Sequence, residues 1–237
     1  MYKIKILATL LFLGSLGSCK KFLDEKPLAD GTLGQHYKNM YDVQAAMAGM
    51  YSAFQLEMVG KDQYTEKYLY WGEYRSDNFD RFISYTKDYV DEIVLNSITP
   101  SNNFSDWSGL YTTIGRANNN IRYIPKAAQL DSRITTAMQN NYLAQSYALP
   151  AMSYFYIVRV WGDAPIWLEP YEDVQQPAER AREPKEKIIK DVIIPDLEKA
   201  YSLISKEARS PLWTIGEGGY ARLWLTYICG REIMKMQ

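Results

Sequence analysis

One stretch of the chain, Tyr142 to Leu168, constrains the fold more than any other, because it is the densest apolar and aromatic run after the N-terminal segment. It reads YLAQSYALPAMSYFYIVRVWGDAPIWL, with a large side chain in almost every helical turn. A helix that is apolar on nearly all sides is a buried helix, so we place the core here. The helix should end at Gly162-Asp163, since glycine suits a left-handed cap and Pro165 cannot continue the helix. Pro150, inside the run, predicts a kink.

The first residues are typical of a lipoprotein signal peptide. Two lysines precede an apolar segment, Ile6 to Leu16, that is too short to span a bilayer as a stable helix. Leu16-Gly17-Ser18-Cys19 then resembles a bacterial lipobox, which predicts removal of residues 1–18 and acylation of Cys19. The alternative is an ordinary secretory signal with an incidental cysteine. Lys20 stands where an aspartate would favour inner-membrane retention, so the outer membrane is the expected location.

Composition narrows the classes of function. The chain has 27 basic and 28 acidic residues, a balance that does not favour nucleic-acid binding. His36 is the single histidine, which argues against a histidine triad or a histidine-based zinc site. With two cysteines, one assigned to lipid, we expect no disulfide and no cysteine-based metal site. We also find no phosphate loop or dinucleotide fingerprint, so no cofactor is predicted. A pair of glycosidase carboxylates is neither excluded nor favoured among so many acids.

Helical periodicity continues along the rest of the chain. Residues 19–36 are predicted to be a tether, and residues 37–237 an α-helical domain of helix pairs and long irregular loops. We expect a bundle or a tetratricopeptide-like solenoid, although the strict 34-residue repeat is not legible. The predicted helices are Asn39 to Met58, a short one within Glu66 to Arg81, a short helical or extended piece from Val90 to Ile98, one from Trp107 that stops at Pro125, the central one capped by Asp131, one opened by Pro184 with a kink at Pro195, and a last one capped by Thr214 and Glu217.

Four stretches together resemble the SusD/RagB family of nutrient-binding outer-membrane lipoproteins. They are Cys19 to Pro27 (CKKFLDEKP), Trp107 to Ile124 (WSGLYTTIGRANNNIRYI), Ser153 to Ile166 (SYFYIVRVWGDAPI) and Pro184 to Ile204 (PKEKIIKDVIIPDLEKAYSLI). They occur in the family's order and span most of the chain.

The resemblance implies an α-helical protein with tetratricopeptide-like units, lipid-anchored at the outer membrane and facing the outside of the cell. It implies binding of oligosaccharides or other nutrients, and their delivery to a TonB-dependent transporter of the SusC kind. Members of the family are commonly about twice this length, so the chain is expected to correspond to the N-terminal half. Pro150 departs from the family pattern, which has a basic or small residue there.

The best candidates for ligand contact combine a stacking ring with hydrogen-bonding groups in one segment that we expect to be a loop. Saccharide recognition needs an apolar face for the C–H surface of the ring and fixed polar groups for its hydroxyls. The alternative is a helix end with a solvated polar face. Trp107 and Trp161 are expected to be core, whereas Trp167 is evenly balanced between core and ligand contact. The candidates are Trp71, Glu73, Arg75, Asp77 and Asn78.

Three hypotheses of function follow from the sequence. The first is a nutrient-binding lipoprotein that breaks no bond. The second is a helical-repeat scaffold lipoprotein that binds other envelope proteins. The third, a carbohydrate-active enzyme, has nothing in its favour, and we predict that the protein is not an enzyme.

Overall fold

The computed structural model describes residues 36–60, 63–76, 88–172 and 175–204, together with Ile215 and Gly219. Within these ranges the regular structure is helical, apart from one isolated antiparallel bridge between Ala164 and Glu183. The prediction of an all-α fold is therefore confirmed. The predicted Thr214 capping box, the last helix and Cys19 lie outside the described residues.

The helices follow one another as packed neighbours. Helix α1 packs against α4, α4 against α5, and α5 against α7, which places α5 at the centre of the packing. A short 3₁₀ turn, Asn103–Ser105, precedes α4, and a π-helical turn, Ile189–Ile193, joins α6 to α7. The helices are α1 Met40–Met58, α2 Tyr64–Gly72, α3 Asp88–Val94, α4 Ser108–Leu130, α5 Thr136–Val160, α6 Lys185–Ile188 and α7 Ile194–Leu203.

The central stretch forms the core, as predicted. Tyr154 is fully buried in α5, and Ile157 and Val158 lie in the same cluster with residues of α4 and α7. Helix α5 ends at Val160 with Trp161 as its C-cap residue, and Gly162 has a φ of 74°, in the left-handed region that glycine adopts readily. Pro150 is buried inside α5, which continues past it. The kink at this point stays a prediction.

Two predicted helix boundaries are wrong. Helix α4 does not stop at Pro125 but runs on to Leu130. Ile124 and Ala127, on either side of the proline, are both fully buried against α1, and their burial offsets the roughly 3 kcal/mol that a proline costs inside a helix. Asp131 does not cap the central helix, because it lies at the end of α4 instead.

Thr135 is the residue that caps α5, where its side chain accepts a hydrogen bond from the Met138 N–H. The Asp131 carboxylate accepts a hydrogen bond from the Met40 N–H at 2.8 Å and is paired with Arg133. Asp131 therefore satisfies a backbone donor at the start of α1, a helix distant in sequence. The predicted opening at Pro184 is confirmed, since Pro184 is the N-cap of α6.

Pro195 stands at the start of α7, immediately after the π-helical turn. A proline ring crowds the carbonyl four residues before it and leaves that carbonyl without a donor. A π turn is wider than an α turn and accommodates such a local mismatch. The helix therefore continues through Pro195, with Val192 and Ile193 of the π turn buried in the core.

Candidate functional site

The structure places three of the five predicted ligand contacts at the C-terminal end of α2. Trp71 lies in the last turn of the helix, Glu73 is its C-cap residue, and Arg75 lies in the turn that follows. The prediction that this segment is a loop is therefore wrong for Trp71, which lies in a helix. The helix extends to Gly72 because Tyr64 and Lys67 bury one of its faces. The remaining two predicted contacts, Asp77 and Asn78, lie outside the described residues and stay predictions.

A cavity of about 490 Å³ opens beside this helix end. It is lined by Trp71, Glu73 and Arg75, the three predicted ligand contacts that the structure describes, and by residues from the end of α5 and from the 3₁₀ turn. Its aromatic and charged lining residues are Tyr64, Tyr68, Trp71, Glu73, Arg75, Phe104, Arg159 and Trp161. Cavities of roughly 300–1,000 Å³ that combine aromatic walls with a few polar groups are typical of small-ligand sites. We call this the Trp71 cavity.

Two tryptophans from distant parts of the chain meet in the Trp71 cavity. The ring centroids of Trp71 and Trp161 lie 5.6 Å apart with an interplanar angle of 81°, an edge-to-face contact. Trp71 makes a second edge-to-face contact with Tyr64, at 5.8 Å and 77°. The Trp161 indole donates a hydrogen bond to the Ser105 carbonyl at 3.0 Å. Both indoles are half-buried, so they are held in place while part of each ring faces the cavity.

Charged groups surround these rings at the surface. The side chains of Glu73, Arg75 and Arg159 are exposed. Arg75 Nε donates to the Asn96 side-chain oxygen at 2.8 Å, and the Arg159 guanidinium lies 5.3 Å from the Phe155 ring centroid. The cavity thus has an apolar aromatic wall, with one acidic and two basic side chains at its edge that can form hydrogen bonds.

Gly72 keeps one side of the cavity open. It is the last residue of α2 and lines the Trp71 cavity, and a Cβ atom added there would meet no heavy atom within 4 Å. Gly72 therefore leaves open space beside Trp71.

A buried ion pair holds α2 in position. Lys67 is 4% exposed, and its Nζ lies 3.8 Å from Glu57 Oε1 of α1. The ammonium also donates to the Asp106 carbonyl at 3.2 Å, just before α4. Burial raises the pKa of Glu57, the Lys67 charge opposes that rise, and Asp106 adds to it. Gly109 allows the close approach, because a Cβ there would lie 1.9 Å from Glu57 Oε2. This contact links three helices behind Trp71.

A protein-family model with the description "Starch-binding associating with outer membrane", of the SusD-like type, matches residues 21–215. The chain belongs to this SusD-like family. It is 31% identical, over 193 residues, to the SusD-like protein P38 of Formosa agariphila, a match that covers 81% of this chain and 35% of that protein.

Solved structures show that the SusD-like chain shares its fold with this superfamily. A SusD superfamily protein from Bacteroides thetaiotaomicron matches with a TM-score of 0.67 at 19% identity, over 81% of this chain and 44% of the other. A laminarin-binding SusD-like protein matches with a TM-score of 0.63 at 20% identity, over 81% and 40% of the two chains. The SusD-like chain spans roughly a third of the length of the curated relatives it matches.

Sequence reasoning missed part of the lining of the Trp71 cavity in this SusD-like chain. Trp107 and Trp161 both pack against the core, as expected, but Trp161 also lines the Trp71 cavity. The position of Trp161 at the C-cap of a buried helix could have indicated this second role, because the end of such a helix reaches the protein surface although its middle is buried. Arg159 was missed as well. Trp167, evenly balanced in the sequence, borders a different cavity.

The asparagine run of the SusD-like chain makes buried hydrogen bonds between segments. Tyr37 donates to the Asn120 side-chain oxygen at 2.7 Å, and Asn118 donates to the Trp167 carbonyl at 3.0 Å. Within the described ranges, no group of three or more His, Cys, Asp or Glu residues could hold a metal ion. In the same part of the chain, no helix is both long and apolar enough to cross a membrane.

Proposed function

We propose that this chain binds a neutral oligosaccharide in the Trp71 cavity. The observation that carries the proposal is the edge-to-face pair of Trp71 and Trp161 at the wall of a cavity of about 490 Å³. Half-buried indoles offer an apolar surface to the C–H face of a sugar ring, and the exposed Glu73 and Arg75 offer an acceptor and donors to its hydroxyls. The family description, which names starch binding, supports the same class of ligand.

The proposal extends to the cell envelope. The protein is lipid-anchored through Cys19 at the outer membrane and delivers its ligand to a SusC-like TonB-dependent transporter without breaking a bond. The lipobox at the N-terminus and the family's association with the outer membrane support this location. Replacing Cys19 with alanine should release the protein from the membrane fraction of cells. Retention of the Cys19→Ala protein in that fraction would exclude acylation of Cys19 as its anchor.

Binding is tested by affinity electrophoresis in gels that contain soluble starch or laminarin, followed by titration calorimetry with the polysaccharide that retards the protein. Trp71→Ala should weaken binding at least tenfold, or about 1.4 kcal/mol. Gly72→Leu should weaken it similarly, because Gly72 lines the cavity and the first atom of the new side chain meets no neighbour within 4 Å. Tyr201→Ala is the matched control, since Tyr201 is a 48% exposed aromatic residue on α7 that does not line the Trp71 cavity.

The outcomes separate this proposal from its competitors. Binding that is unchanged in both Trp71→Ala and Gly72→Leu would exclude the Trp71 cavity. No retardation of the wild-type protein by any glycan in the panel would count against saccharide binding and favour the scaffold alternative. Release of reducing ends from the same polysaccharides would show that the protein is an enzyme.

A further inference from the structure

A second cavity, of about 310 Å³, lies between α4 and the loop that follows α5. Its walls are the rings of Tyr111, Trp167 and Tyr171, with Gly115, Asn118 and Glu169 between them. The Trp167 and Tyr171 centroids lie 5.9 Å apart with the rings nearly perpendicular, at 77°. We call this the Trp167 cavity, and its lining residues differ from those of the Trp71 cavity.

Core side chains hold the backbone of the loop that carries Trp167. The Trp167 N–H donates to the Tyr154 hydroxyl oxygen at 2.7 Å, and Tyr154 is fully buried in α5. Asn118 of α4 donates to the Trp167 carbonyl at 3.0 Å. The Tyr111 hydroxyl donates to the Pro165 carbonyl at 2.8 Å. Because these bonds come from two packed helices, the backbone that carries the Trp167 ring is held in place without a ligand, which lowers the entropy cost of binding.

One face of Trp167 is already occupied by a cation. The Arg180 guanidinium lies 3.9 Å from the ring centroid, and its Nη1 donates to the Ile166 carbonyl at 3.0 Å. Arg180 lines a neighbouring cavity rather than the Trp167 cavity. A second cation on the remaining ring surface would meet the positive charge of Arg180, whereas an uncharged C–H surface would not. The ring therefore favours a neutral partner.

The carboxylate of Glu169, which lines the Trp167 cavity, disfavours an anionic ligand. The residues that line the Trp167 cavity include one carboxylate, that of Glu169, and no cationic side chain. An exposed carboxylate accepts hydrogen bonds from hydroxyl groups. An apolar aromatic wall beside a hydrogen-bond acceptor matches a neutral, hydroxyl-rich molecule.

Gly115 supplies an independent observation. It lies inside α4, at the wall of the Trp167 cavity, and a Cβ added there would meet no heavy atom within 4 Å. Glycine in the interior of a helix is destabilising by about 0.5–1 kcal/mol relative to alanine. No close approach requires the glycine, so what it provides is open space in the cavity. A Cβ added at Gly72, the last residue of α2, likewise meets no heavy atom within 4 Å.

We propose that the Trp167 cavity is a second saccharide-binding site, in which Trp167 and Tyr171 contact the C–H face of a sugar ring and Glu169 accepts hydrogen bonds from its hydroxyls. This inference rests on the proposed function, since it takes the ligand to be a neutral glycan. The protein then has two saccharide-binding sites. Either one polysaccharide chain contacts both cavities, or a separate chain binds in each.

The test uses the protein with its chain unchanged except for single substitutions, against soluble starch and laminarin in affinity gels and calorimetry. Gly115→Leu adds a side chain at the wall of the cavity, where a Cβ meets no heavy atom within 4 Å, and Tyr171→Ala removes a 46% exposed ring. Each should weaken binding of the retained polysaccharide about five- to tenfold, which corresponds to roughly 1–1.4 kcal/mol. Leu168→Ala is the control, because Leu168 is 56% exposed beside Trp167 but does not line the Trp167 cavity, and should leave binding unchanged. Far-UV circular dichroism checks that each variant is folded.

The results distinguish this site from the first. The inference is overturned if Gly115→Leu and Tyr171→Ala bind as the wild type does while Gly72→Leu loses binding, and the proposed function then stands. A loss in Gly115→Leu and Tyr171→Ala with none in Gly72→Leu supports the Trp167 cavity and moves the main site there. If the wild-type protein binds none of the glycans, both proposals fall together.

Discussion

Lys67→Met tests whether the buried ion pair behind Trp71 holds α2 in place. Methionine is similar in length and apolar, so the substitution removes the ammonium and leaves Glu57 buried, with 11% of its side chain exposed. Two unit charges 3.8 Å apart attract by about 4 kcal/mol at an effective dielectric constant of 20. The hydrogen bond to the Asp106 carbonyl is lost as well. Breaking a buried pair by removing one partner costs about 3–5 kcal/mol, and we expect the free energy of unfolding to fall by that amount at neutral pH.

The loss should depend on the charge of Glu57. Glu57→Gln removes that charge, so Lys67→Met should cost less in the Glu57→Gln background, with a coupling free energy of about 2 kcal/mol or more. The pH dependence has a definite sign. Burial already raises the pKa of Glu57, and removal of Lys67 takes away the charge that opposes the rise. In the Lys67→Met protein, protonation of Glu57 therefore favours the folded state.

A raised pKa in the folded state gives stability that is present below the unfolded pKa, about 4.3 for glutamate, and lost as the pH rises through the folded value. As the pH is lowered from neutral towards the unfolded pKa of glutamate, the difference in free energy of unfolding between the wild type and the Lys67→Met protein should therefore become smaller. The protein with both Lys67→Met and Glu57→Gln should not show this change, because its residue 57 does not titrate. The comparison isolates Glu57 from the other acids of the chain.

The assay is urea unfolding followed by far-UV circular dichroism at several pH values. A Lys67→Met protein within about 1 kcal/mol of the wild type would refute the reasoning, since that is less than breaking a buried pair costs. A loss of the same size with and without the Glu57 charge would refute it too, because packing rather than charge would then explain the effect. Glycan affinity should fall along with stability, since α2 carries Trp71.

Two further substitutions test close contacts in the core. Gly109→Ala should destabilise the protein by about 1–2 kcal/mol, because the new Cβ would overlap Glu57 Oε2, and the effect should vanish in a Glu57→Ala background. An equal loss in both backgrounds would contradict this contact. Tyr37→Phe should cost about 1–3 kcal/mol, since the buried Asn120 oxygen loses its donor, and unchanged urea unfolding would show that the bond does not stabilise the fold.

Local signals in the sequence were enough to predict helix α1 and the buried helix α5. The period of apolar residues from Asn39 to Met58 predicted α1, and Asn39 caps it with a capping box completed by Asp42. The apolar density of the central stretch predicted a buried helix and its end at Gly162. Such signals are readable because capping and amphipathic spacing are decided by residues within one or two turns of each other.

Boundaries that depend on packing were not readable. Pro125 is a strong local stop signal, and it was overruled because Ile124 and Ala127 are buried against a helix some 80 residues earlier in the chain. Asp131 is a good capping residue by type, yet its carboxylate accepts from Met40, 91 residues away. In both cases the residue contacts a partner distant in sequence, which a local preference does not take into account.

The candidate site divides in the same way. The sequence alone identified the family, because the resemblance depends on residue types and their order. The ligand contacts around Trp71 stay a prediction from the same kind of signal. Only the tertiary structure brought Trp161 to within 5.6 Å of Trp71 and showed that the space beside Gly72 and Gly115 is open. A cavity is the space left between elements that pack together, and no single segment of the chain contains the information about its partners across that space.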